Sequence, residues 1–68
     1  MKPLTAREMA VLLTARGWPL VCKSGSHMVF RSTATGQVVV VPYHAARTLS
    51  TGTQRRIMRD AKIGHDEI

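Results

Sequence analysis

Residues 24–30, Ser-Gly-Ser-His-Met-Val-Phe, carry the arrangement in this chain best suited to chemistry. A Gly-Ser turn delivers His27 to the start of an apolar strand. A free imidazole titrates near ~6.5, so it can take and give a proton at neutral pH. RNA brings its own nucleophile, the 2′-hydroxyl. One base for that proton, with positive charge near the phosphorus, suffices for slow strand cleavage without a metal. DNA lacks the 2′-hydroxyl, so such chemistry would be specific to RNA.

The remaining reactive side chains offer less. His44 follows Val41-Pro42-Tyr43 and reads as a loop residue or phosphate contact, and His65 reads as inert. The three histidines have no short ligand spacing, so no metal site is expected. Ser26 is not a nucleophile paired with His27, because neighbours in a strand point oppositely. The single cysteine, Cys22, excludes an internal disulfide and a cysteine-only metal site. It reads as a small apolar strand residue with no base beside it.

Positive charge is plentiful. Ten Lys and Arg oppose four Asp and Glu, giving a net charge of +6. That balance favours phosphate polyanions or an acidic protein as partners. Arg55, Arg59 and Lys62 share a helical face at i, i+4 and i+7, and Arg56 flanks it. The same helix start, beside Gly52, offers free N–H groups to a phosphate. With Lys23 and Arg31 near His27, these residues would make a phosphate track. The plainer readings are a solvated polar face opposite Ile57 and a surface histidine that fits its turn. One Trp, one Tyr and one Phe are too few for binding built on stacked bases.

These groups must be positioned by a very small scaffold. Sixty-eight residues make one domain, spanning 1–68. Such a chain buries only roughly 60% of its unfolded surface, so a shallow surface site is expected rather than a deep pocket. No secretory signal pattern opens the chain. The longest apolar run, Val38 to Pro42, is far too short to span a membrane. A cytoplasmic protein follows by default.

Thr5 and Glu8 form a capping box, with Leu4 and Met9 at the hydrophobic-staple positions, and Gly17 suits the helix end. The first helix is therefore expected over about residues 6–16. Trp18 to Lys23 reads as a strand with Pro19 marking an edge. His27 to Ser32 alternates, with Phe30 facing the core and His27 facing away from it. Gln37 to Pro42 is a third strand, and short loops make both connections antiparallel hairpins. Thr51 and Gln54 read as a second capping box, Thr53, Ile57 and Ala61 as a helical stripe, and Gly64 as a helix end. The fold class is α+β, in the order α-β-β-β-α, with two helices on one face of a three-stranded antiparallel sheet.

Taken together, these features resemble the HicA-type toxins, small mRNA interferases of bacterial toxin–antitoxin pairs. The matching residues are Arg16-Gly17-Trp18, Lys23-Ser24-Gly25-Ser26-His27 with Phe30, Val40-Val41-Pro42 with His44, and Leu49, Gly52-Thr53 and Ile57. The resemblance implies a fold like the double-stranded-RNA-binding domain and an endoribonuclease that cleaves mRNA without metal or cofactor. It implies that His27 is catalytic and that a HicB-type antitoxin neutralises the chain by covering it. Lys23, Ser26, Arg31, His44, Arg55, Arg59 and Lys62 are the candidate RNA contacts. Two other readings stay open at this level. One is a non-catalytic module for double-stranded RNA, and the other is a basic adaptor for an acidic protein.

Overall fold

The computed structural model describes residues 2–44 and 47–64. It shows α1 (Ala6–Ala15), β1 (Leu20–Ser24), β2 (His27–Arg31), β3 (Val38–Pro42) and α2 (Thr51–Asp60). The strands form one antiparallel sheet in the order β1-β2-β3, so β2 is central and the other two are edges. This is the expected α-β-β-β-α architecture.

The core explains the layering. Met28 and Phe30 of β2 and Val39 and Val41 of β3 are buried on one sheet face. They join Ala6, Met9 and Leu13 of α1 and Ile57 and Met58 of α2 in a single cluster. Both helices therefore cover the same face, and the other is left open. Phe30 is fully buried at the centre of this thin core. Truncating such a residue to alanine costs about 3–5 kcal/mol, a large share of the stability of a domain this size.

The first helix starts as the sequence predicts. The Thr5 hydroxyl accepts from the Glu8 N–H, and the Thr5 N–H donates to the Glu8 carboxylate at 2.9 Å. That donated bond holds the Glu8 carboxyl below its ordinary value of 4.5; desolvation opposes it, and the Thr5 hydroxyl and the charge of Lys2 add smaller lowering effects. At the other end Gly17 takes φ +86°. Its N–H goes to the Thr14 carbonyl, and the Trp18 N–H goes to the Leu13 carbonyl. This is a Schellman ending, and the buried pair Trp18 and Leu13 closes it. Trp18 thus seals the helix instead of opening a strand, and β1 begins at Leu20.

The second helix departs from expectation at both ends. Its N-cap is Ser50, whose hydroxyl accepts from the Thr53 N–H at 3.3 Å, so Thr51 already lies inside the helix. Gln54 forms no capping box. It is 1% exposed and joins the amino-terminal segment to α2. Its side-chain oxygen accepts from the Leu4 N–H at 2.8 Å, and its side-chain nitrogen donates to the Lys2 carbonyl at 2.6 Å. The bridge between Thr5 and Thr48 and the Leu49 N–H donated to the Leu4 carbonyl continue that seam. The helix ends at Asp60 and not at Gly64. Lys62 adopts φ +58°, and the Ile63 N–H returns to the Met58 carbonyl. Burial of Ile63 drives this ending, because it returns an apolar side chain to the core that a longer helix would carry outward.

Candidate functional site

A two-residue hairpin loop, Gly25-Ser26, joins β1 to β2. Gly25 has φ +58° and Ser26 has no positive φ, the pattern of a type II′ turn with glycine first. Such a turn fixes register. Ser24 pairs with His27 across it, and His27 pairs with Pro42 on its other side. His27 is therefore the first residue of the central strand, exposed, with neighbours on both flanks.

Pairing partners share a sheet face, so the open face can be read row by row. Ser24, His27 and Pro42 form one row, and Cys22, Val29 and Val40 form the next. Arg31 and Val38 form the third. His27 and Arg31, both exposed, stand at opposite ends of β2, roughly 13 Å apart at strand spacing. Between them lies an apolar floor in which Val38 and Val40 are 49% and 40% exposed. Cys22 lies in β1 and is exposed on this floor. A bulge between Leu20 and Cys22 breaks the alternation of β1 and leaves Val21 in solvent.

The other predicted contacts are placed apart from this face. Lys23 pairs with Met28 and so belongs to the helix side, where its Nζ sits 4.3 Å above the Tyr43 ring, which itself packs on the core. Arg55 and Arg59 are exposed on α2, opposite its buried Gln54, Ile57 and Met58, and face away from the sheet. Arg59 lies 3.7 Å from Asp60, an exposed pair. Lys62 lies beyond the helix and takes no part in a helical stripe with Arg55 and Arg59. Ser26 lies in the turn, and its carbonyl accepts from the Tyr43 N–H. His44 is exposed just past β3, and its carbonyl accepts from the Arg47 N–H. His65 lies outside the described residues.

The structure therefore brings His27 and Arg31 to one face and puts the helical arginines on the opposite one. The residues that sequence reading missed beside His27 are Ser24 and Pro42. For Ser24 the two-residue Gly-Ser loop was the available signal, because it dictates which residue of β1 stands opposite His27, whereas Pro42 is set by the pairing of β2 with β3. A shallow groove of about 260 Å³ runs along α1, lined by Lys2, Leu4, Glu8, Val11, Leu12 and Ala15, on the far side of the sheet from His27. The histidine itself sits on an open surface. Among the described residues no three His, Cys, Asp or Glu side chains cluster, and no helix is long and apolar enough to cross a membrane.

The chain is thus a small basic α+β domain that presents His27 on an open sheet face. Residues 6–63 match the family described as HicA toxin of bacterial toxin-antitoxin, and the chain belongs to that family. It is a toxin of the toxin–antitoxin kind, whose counterpart is an antitoxin. No match was found among curated proteins.

Proposed function

We propose that this chain is a cytoplasmic mRNA endoribonuclease in which His27 moves the protons. The observation that carries this reading is the placement of His27, exposed at the head of the central strand in a member of the HicA toxin family. An extended RNA strand laid along β2 would set one phosphate at His27 and a neighbouring one near Arg31. Neutral His27 takes the 2′-hydroxyl proton, and the 2′-oxygen attacks phosphorus. The bond from phosphorus to the 5′-oxygen breaks, and the 5′-oxygen leaves with a proton from the imidazolium or water. The products are a 2′,3′-cyclic phosphate and a 5′-hydroxyl. Arg31, at the far end of β2, holds the neighbouring phosphate and so positions the strand for attack at His27.

Lys23, Ser26, His44, Arg55, Arg59 and Lys62 serve as secondary contacts for longer RNA that bends around an edge of a molecule only 17 Å thick in its shortest dimension. A HicB-type antitoxin covers the His27 face and silences the chain. The chemistry is tested by end analysis of RNA cut by purified protein. Cyclic phosphate ends formed by the parent, and none formed by His27→Ala, are expected. A 3′-hydroxyl end would overturn the mechanism.

A further inference from the structure

The two edges of the sheet are protected very differently. β1 is blunted by Pro19 just before it, by the bulge at Val21 and by Lys23 within it, all devices that discourage pairing with another strand. β3 is Val38-Val39-Val40-Val41-Pro42, with neither charge nor bulge. Its hydrogen-bonding phase follows from its ends. The Ser32 N–H donates to the Gln37 carbonyl, and the Tyr43 N–H donates to the Ser26 carbonyl. Alternation between these anchors turns the amides of Val39 and Val41 towards β2. The N–H and C=O groups of Val38 and Val40, and the C=O of Pro42, therefore face outward. Pro42 has no N–H to leave unmet there, as edge prolines require.

From this arrangement we infer that the outer edge of β3 is the docking strand for the antitoxin, which adds a fourth strand to the sheet. The inference rests on the toxin reading above and specifies where and how its partner binds. Three observations favour a protein strand over RNA or a second copy. The outward groups are peptide amides and carbonyls in strand register, which another peptide strand matches. The adjoining side chains, Val38 and Val40, are half exposed and apolar, suited to β-branched partner residues. The net charge of +6 repels a second copy and attracts an acidic chain.

The position also bears on activity. Pro42 is the direct neighbour of His27. A strand added outside β3 lies about two strand spacings, roughly 10 Å, from β2. An acidic side chain on its open-face side reaches across Pro42 towards the imidazole and occupies the place of a phosphate. Pairing at the edge and blocking of His27 are then one event.

The test uses the protein encoded beside this chain in its genome, co-expressed and co-purified with it, and reads amide hydrogen exchange residue by residue. In the free chain the Val38 and Val40 amides are expected to exchange fast, as unpaired edge groups do. In the complex they should slow by roughly a hundredfold or more, while the outward amides of Val21 and Lys23 on β1 stay unchanged. Val40→Pro removes one outward N–H. It should weaken the complex, read as faster dissociation of the purified pair. Should a stable complex form with the Val38 and Val40 amides unprotected, the edge assignment falls and the toxin reading stands. If the neighbouring protein neither binds nor neutralises, both fall together.

Discussion

His27, Arg31 and Glu8 each carry a separable expectation. His27 is exposed and its side chain has no packing role, so His27→Ala should leave the unfolding midpoint within about 0.5 kcal/mol of the parent while cleavage is lost. Arg31→Ala should weaken RNA binding and lower the slope of log affinity against log salt by about 0.7, the value for one single-strand phosphate contact. An equal loss from Arg55→Ala would show that the RNA runs over the helix layer instead. Glu8 sets a pH dependence of stability. Its folded carboxyl is lowered, so its contribution is full above the ordinary value of 4.5 and is lost as pH falls through the lowered one. Acid titrations of the parent and Glu8→Gln should converge at the acid end of that window and separate above it.

At the scale of elements, the legible parts were those governed by short-range chemistry. The capping box of α1, its Schellman glycine and the alternation of β2 are written in neighbouring residues, and each was found where local pattern placed it. The misreadings came from tertiary contacts. Gln54 looked like a capping residue because of its spacing from Thr51, yet its amide holds the amino-terminal segment some fifty residues away. Gly64 looked like a helix stop, but the burial of Ile63 ends the helix earlier and forces Lys62 into a left-handed conformation. Both corrections can be tested by chemical denaturation. Gln54→Leu leaves the buried Leu4 N–H without its acceptor and should cost about 1–3 kcal/mol. Lys62→Gly relieves the positive φ and should stabilise by about 0.5–1 kcal/mol, even though it removes a charge.

For the whole molecule, sheet and helices divide the candidate RNA contacts between two faces. His27 and Arg31 lie on the open face, while Arg55 and Arg59 lie on the outer face of α2. Sequence spacing could not reveal this separation, because it depends on which layer each element joins. The edge position of β3, by contrast, follows from the two hairpins, which set the order β1-β2-β3. Charge and length were legible, and the structure places His27, the candidate they pointed to, on an open surface. The separation predicts a division of labour. A double Arg55→Ala, Arg59→Ala variant should raise KM for long RNA and leave kcat on a short oligonucleotide near the parent value, whereas Arg31→Ala should affect both substrates. The central claim, that one exposed imidazole makes this basic domain a toxin, is tested most directly by paired induction in a bacterial host. Parent and His27→Ala are expressed at equal soluble levels, and growth and mRNA integrity are followed together. The account predicts arrest with mRNA loss in the parent alone. Arrest and mRNA loss by both proteins would contradict it.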